Sequence, residues 1–314
     1  MMQDHHPSSA LKTKLRNWYR TDRPSARVAQ TIYRPSRRLF QKMIGYGEQH
    51  YTVFQKQVLS KCFLDIAGQE VTLVVGSARS GTTWVQELIN YQQDHRVLFE
   101  PFAHAKVPFI PPQLSRCYLR PGANYVDFAA KIQRVLAGRL RDPWVDRFTA
   151  PLRLYRRRLL KEIRMLPFLR WLYEAFPDLK IVYVMRHPCA VAASWLRLQW
   201  PNHPNPRMFF GQPELVADYL TPFLPLVEQT EGKFEQSIFF WALENYVPLQ
   251  QFRAGEFFPL FYEELCTTPE VVLPQLCDFL GLAQKPALDE AVKRPSALAK
   301  KHSAIITGAS LIHD

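Results

Sequence analysis

The chain has 314 residues, of which 47% are hydrophobic and 22% charged, so a packed core is expected and wholesale disorder is excluded. No window approaches 18 consecutive apolar residues, and the opening Met-Met-Gln-Asp-His-His lacks the apolar stretch of a secretory signal, so neither a membrane-spanning helix nor export is read here. The net charge of +12 is uneven: residues 1–61 carry twelve Lys/Arg against three Asp/Glu, or +9.

Residues 1–45 mix Pro, Ser and Arg without periodicity and read as a basic arm, with residues 46–314 as one domain. An acid-poor arm of this kind is either a solvated segment or a contact for an anionic membrane surface. It shows no interleaving of aromatic and basic residues, so nucleic acid is not an expected partner. Cys62, Cys117, Cys189, Cys266 and Cys277 are odd in number and show no CxxC spacing. They are expected to be reduced, buried thiols of a cytoplasmic protein, with neither a disulfide framework nor a zinc site.

In chain order, Val71–Val75 is a β-branched run ending at Gly76, the pattern of a buried strand. Thr82–Tyr91 follows without a breaker and spaces Trp84, Leu88 and Tyr91 for one helical face. Asn124–Leu140 and Leu152–Phe176 are expected helices, with the charged Tyr155–Arg164 as the wet face of the second. Lys180–Arg186 is a second strand, and Pro188 suits the first turn of a helix running through Leu198. The aromatic, proline-rich 200–213 passage reads as irregular, and its 200–210 part is a candidate for lining an acceptor site. Helices are expected over Glu214–Glu228 and Phe234–Phe252, a third strand over Phe257–Phe261, and a helix over Pro269–Leu280 closed by Gly281. Alternating strands and helices point to a single three-layer α/β domain, a central parallel sheet flanked by helices.

Two motifs carry chemistry. Gly76-Ser-Ala-Arg79-Ser80-Gly81-Thr82-Thr83-Trp84 joins the first strand to the first helix. Its glycines permit a tight turn, its free N–H groups meet the positive end of a helix dipole, and Arg79, Thr82 and Thr83 add donors. The spacing is that of a P-loop, but Thr82 stands where a Walker loop has lysine. The second strand ends in Arg186 rather than the magnesium-holding Asp of a Walker B strand, with Ser194 about two helical turns further on. Arg186 and Ser194 can therefore bracket a second phosphate at the carboxyl edge of the sheet, with no metal expected.

The pair VVGSARSGTTW and VYVMRHPCAVAASW resembles the 5′-phosphosulfate loop and 3′-phosphate motif of sulfotransferases that use 3′-phosphoadenosine 5′-phosphosulfate (PAPS). The segment FYEEL, followed by TTPEVVLPQLCDFLGL, is similar to one those enzymes carry after a later strand, so the resemblance spans about residues 70–285. It implies PAPS as cosubstrate, with Arg79, Ser80, Gly81, Thr82 and Thr83 on the 5′-phosphate side. It further implies Arg186 and Ser194 on the 3′-phosphate, and Trp84 and Tyr262 at adenine. The soluble branch has lysine where Arg79 stands, and its C-terminal RKG segment is absent. The basic 293–301 tail either replaces that segment or is solvated.

Sulfuryl transfer, like phosphoryl transfer, needs in-line attack and charge stabilisation on the leaving phosphate, a role for Arg79. The acceptor, a hydroxyl or amine of a carbohydrate, lipid or small molecule, needs a base. Glu100 is the candidate, its apolar flanks Leu98, Phe99, Pro101 and Phe102 expected to raise its pKa toward neutrality, and His104 is the second. The rivals are a P-loop nucleotide kinase, against which Thr82 and Arg186 both count, and a non-catalytic nucleotide-binding module tethered by the basic arm.

Overall fold

Short runs of Val, Leu and Ile flanked by polar turns form five parallel strands, and their alternation decides how the molecule is layered. The computed structural model describes residues 63–68, 70–198, 204–283 and 286–294. The expected arm and its boundary at residue 46 lie outside these residues, as do Cys62, positions 199–203 and the tail from Pro295. A two-residue pair joins β1 (Leu64–Asp65) to β4 (Leu154–Tyr155). The main sheet contains β2 (Val71–Val75), β3 (His95–Phe99), β5 (Arg157–Glu162), β6 (Leu179–Met185) and β7 (Phe258–Phe261), in the order β3-β5-β2-β6-β7 and parallel throughout.

Successive side chains of a strand point to opposite faces. Leu73, Val75, Leu98, Leu160, Ile181 and Tyr183 therefore enter one core, shared with α2 (Val126–Leu136) and α3 (Leu169–Ala175). Val74, Val97, Leu159, Val182, Val184 and Leu260 enter the other, under α1 (Thr82–Ile89) and, later in the chain, α6 (Tyr262–Thr267), α7 (Pro269–Leu280) and α8 (Pro286–Val292). Truncating a buried leucine such as Leu73 to alanine would cost about 2–5 kcal/mol. A third cluster joins α4 (Pro188–Leu198) to α5 (Lys233–Gln251) through Val191, Trp195, Phe240, Leu243 and Val247, and reaches Ala78 of the loop after β2. The expected α/β fold with a central parallel sheet flanked by helices is what forms. Among the described residues no helix is long and apolar enough to cross a membrane.

Three expectations are corrected. Leu152–Phe176 is not one helix: it holds β4, β5, a 3₁₀ turn at Leu166–Phe168, and only then α3. The supposed wet face is a central strand, with Arg158, Lys161 and Glu162 buried. Its charges are tolerated there because Asp65 and Glu100, distant in sequence, neutralise Arg158 and Lys161, and no local periodicity reveals such partners. Strand β3 was not anticipated at all. The helix expected over Glu214–Glu228 is broken into α, π and 3₁₀ turns before Leu224–Gln229, since Pro222 and Pro225 remove donors that a continuous ladder needs.

Candidate active site

In the strand order, β2 has β5 on one side and β6 on the other, while the chain leaves β2 toward β3 and returns across it to β6. Ligand crevices in open α/β sheets form at such a switch point, beyond the carboxyl ends of the strands. The loop after β2 and Arg186 after β6 emerge there side by side.

The loop's shape follows from its two glycines. A Cβ on Gly76 would collide with the carbonyl oxygen of Val184 on β6, and one on Gly81 with the ring of Tyr262. Gly81 also holds φ 90°, a left-handed setting that favours glycine. No side chain caps the N-terminus of α1, so its first N–H groups and dipole face the crevice. Thr82 is buried at that end and Thr83 half-buried. Ser80 is buried, and its Oγ has no hydrogen-bond partner among the described residues.

The two motifs meet. Arg79 Nε donates to Ser194 Oγ at 3.0 Å, and Arg186 Nη1 donates to the Arg79 carbonyl oxygen at 3.3 Å, across more than a hundred residues of sequence. Arg79 itself holds φ 73°. Among the described residues neither arginine forms an ion pair with a carboxylate, and Arg186 Nε is buried without a hydrogen-bond partner. Partial desolvation, then the like charge of Arg186, hold the Arg79 guanidinium below its ordinary range. Two close cations, an orphaned Ser80 hydroxyl and an uncapped helix end suit a polyanion. Arg186 lies over the Tyr262 ring, 4.4 Å from its centroid, and Tyr262 lies 5.4 Å from Trp84. Trp84 Nε1 donates to the Arg294 carbonyl oxygen at 3.1 Å. The two residues expected at adenine are thus brought together, with the start of the C-terminal tail against one of them.

Glu100 directly follows β3 and holds φ 42°. The expected rise of its pKa is overturned. Burial does push the carboxyl up, but Lys161 at 2.5 Å and Arg164 at 3.0 Å outweigh burial and hold it below the ordinary carboxylate range. Arg164 also reaches Glu162 at 3.1 Å, and Glu162 accepts from the backbone N–H groups of Phe102 and Ile163, each at 2.8 Å. Lys161, Glu162 and Arg164 had been assigned to a helix surface, and only the Leu159-Leu160 pair inside the charged run hinted at a strand. His104 is exposed. Phe209, in the passage expected to line an acceptor site, is instead buried against Phe240, with ring centroids 5.0 Å apart. The expectation of buried thiols also fails in part: Cys277 is buried, Cys117 and Cys266 are half-buried, and Cys189 is exposed.

The model of the family described as "Sulfotransferase domain" matches residues 69–307, about three quarters of the chain. The chain belongs to the sulfotransferase domain family. It is therefore a sulfotransferase, and the PAPS dependence inferred from its two motifs accords with that membership. No curated protein matches it. Similar solved structures include a sulfotransferase domain from the curacin biosynthetic pathway, at 20% identity, covering 78% of this chain and 83% of that one, with a TM-score of 0.41. Another is a sulfotransferase from Mycobacterium avium, at 14% identity, covering 78% and 71%, with a TM-score of 0.45. A third is a mouse sulfotransferase complexed with PAP, at 16% identity, covering 76% and 66%, with a TM-score of 0.38.

Proposed function

We propose that this sulfotransferase moves a sulfuryl group from PAPS to a hydroxyl or amine of a carbohydrate, lipid or small-molecule acceptor. The observation that carries the reading is the meeting of Arg79, Arg186 and Ser194, which gathers two cations without acid partners among the described residues at the mouth of a P-loop-like turn. The N–H groups of the loop, with Arg79, Ser80, Gly81, Thr82 and Thr83, would take the 5′-phosphate side. Arg186 and Ser194 would take the 3′-phosphate, and Trp84 and Tyr262 the adenine. When bound, PAPS supplies the group transferred: a bond forms from the acceptor atom to sulfur as the bond from sulfur to the 5′-phosphate oxygen breaks, leaving PAP.

Arg79 would neutralise negative charge growing on the leaving phosphate, a preorganised cation in place before the reaction begins. Glu100 would receive the acceptor's proton. Its depressed pKa keeps it ionised, hence in the proton-accepting form, at neutral pH. The cost is weaker basicity, and His104 remains the second candidate. Anionic membrane contact through the basic leader fits its charge and belongs to the same proposal.

Isothermal titration of the full chain with PAP, beside Arg186→Ala and with ATP as control, tests the donor assignment. Micromolar PAP binding, lost in the variant and absent for ATP, is the expected result. Magnesium-dependent ATP binding in place of PAP would turn the site into that of a kinase.

A further inference from the structure

Against Ser77 of the phosphate loop lies a set of buried polar groups that the proposed donor and acceptor chemistry does not use. Helix α5 carries Glu244 and Asn245 in succession, both buried to 1% exposure or less, in a stretch otherwise packed by Phe240, Leu243 and Val247. The second of them meets Ser77, the buried residue after Gly76: Asn245 Nδ2 donates to Ser77 Oγ at 2.8 Å, while the Ser77 hydroxyl favours the charged form of Glu244 against its burial. The second amide hydrogen of Asn245 goes to the Trp241 carbonyl oxygen at 2.7 Å, and its Oδ1 accepts from Tyr183 on β6, also at 2.7 Å.

Glu244 is answered from outside the helix. Arg116 Nε donates to Glu244 Oε1 at 2.8 Å, while among the described residues Oε2 has no hydrogen-bond partner. Arg116 stands at φ 58°, a setting non-glycine residues rarely adopt and one that costs about 1–3 kcal/mol. It is held there from every side. Its N–H donates to the Arg164 carbonyl oxygen at 3.1 Å, its own carbonyl oxygen accepts from Gln212 Nε2 at 3.0 Å, and its guanidinium lies over Phe240. Gln212 also accepts from the Tyr118 N–H at 2.7 Å. Gln212 directly follows the short helix Arg207–Phe210 and Gly211, two residues past the passage read from sequence as acceptor-lining. A non-glycine residue kept in such a setting by so many partners is more typical of functional sites than of plain scaffolding.

We propose that Glu244 and Asn245 are positioning residues that hold Ser77, and with it the phosphate loop, in its anion-binding shape, and that Arg116 couples this setting to the turn at Gln212. The inference rests on the loop being the 5′-phosphate site. A change at the Gln212 turn then alters donor affinity without touching the donor.

Titrating the full chain with PAP and with adenosine 3′-phosphate, which lacks the 5′-phosphate, separates loop shape from general loosening. Glu244→Gln and Arg116→Gly are each expected to weaken PAP about tenfold, and together no more than the stronger of the two, because they break one relay. Adenosine 3′-phosphate should stay within about twofold of wild type in both. Gln212→Ala, at a half-buried turn clear of α5, should weaken PAP about threefold, and it keeps the test open if a core variant does not fold. PAP affinity within about twofold of wild type in all variants overturns the inference while leaving the donor site intact. Equal weakening of both nucleotides overturns it too. Absence of PAP binding by the wild-type chain removes the 5′-phosphate site and the inference with it.

Discussion

Both ends of the central sheet are rich in arginine, and the arginines at the phosphate crevice differ from those at the amino end in whether acid accompanies them. At the amino end, Arg96 and Arg158 share Asp65 at 2.8 and 2.9 Å, and Arg96 also reaches Asp146 at 2.9 Å. Carbonyl oxygens of Gly138, Leu140 and Gly68 take further donors. Gly138 is required there, since a Cβ at its left-handed position would press into Asp65, Arg158 and Arg96. At the carboxyl end, Arg79 and Arg186 have a carbonyl, a hydroxyl and an aromatic ring for company, and no carboxylate among the described residues. A neutralised cation holds a fold together, whereas an unneutralised one is held ready for an anion from outside.

The contrast can be broken first at the amino end. Asp65→Asn leaves Arg96 and Arg158 short of a buried counter-charge and should cost about 3–5 kcal/mol in denaturant unfolding, with PAP affinity of the folded fraction unchanged. A loss of affinity at constant stability would mean that the two ends are not separate in function. The carboxylate of Asp65 is held below its ordinary range: burial alone would raise it, but bonds to Arg158 and Arg96 prevail. Its stabilising share is therefore present above the unfolded carboxylate pKa and is lost as acid takes the pH down through the lower, folded value.

The next largest effect is expected at the other end. Arg79→Ala should lower turnover by about 10²–10³, the typical loss for a preorganised donor at developing charge, and leave the unfolding midpoint nearly unmoved. An equal loss of stability would make Arg79 a structural cation like Arg96.

Glu100 offers the finest distinction, because it stands at the reactive end yet is paired as groups at the structural end are. With its carboxyl held below the ordinary range by Lys161 and Arg164, the acid limb of kcat/KM should stay flat down to about pH 5 if Glu100 is the base. Loss of activity already well above that range, abolished in His104→Gln, would transfer the role to His104.

How far the site was legible depended on whether chemistry lay along the chain or across it. The loop from Gly76 to Trp84 and the Arg186–Ser194 pair are local, each a strand, a turn and a helix start, and their residue types state their purpose. Tyr262 was legible only through the resemblance of the FYEEL segment to the family's. Lys161 and Arg164 were not, since a charged run without a breaker satisfies a helical pattern, and only Glu100, some sixty residues earlier, shows why the run can be buried. The pKa of Glu100 was misjudged for the same reason: its sequence neighbours are apolar while its spatial neighbours are cations. Glu244, Asn245 and Arg116 carry no motif, and their meaning lies in Ser77, far away along the chain.

The strand order has a consequence in time. During synthesis β2 and β3 emerge early, but the first neighbour either can pair with is β5, beginning at Arg157. Between the end of β2 and that point lie roughly 80 residues, which at about 5–20 residues per second is a wait on the order of 4–16 s. The apolar β2 stays unpaired through that whole interval and β3 through the later part of it, the period when a nascent chain most readily finds wrong partners. The strand that closes the gap is the charged one. Arg158 and Lys161 are poorly suited to burial in any sheet that does not also supply Asp65 and Glu100, so the late strand is selective about where it docks.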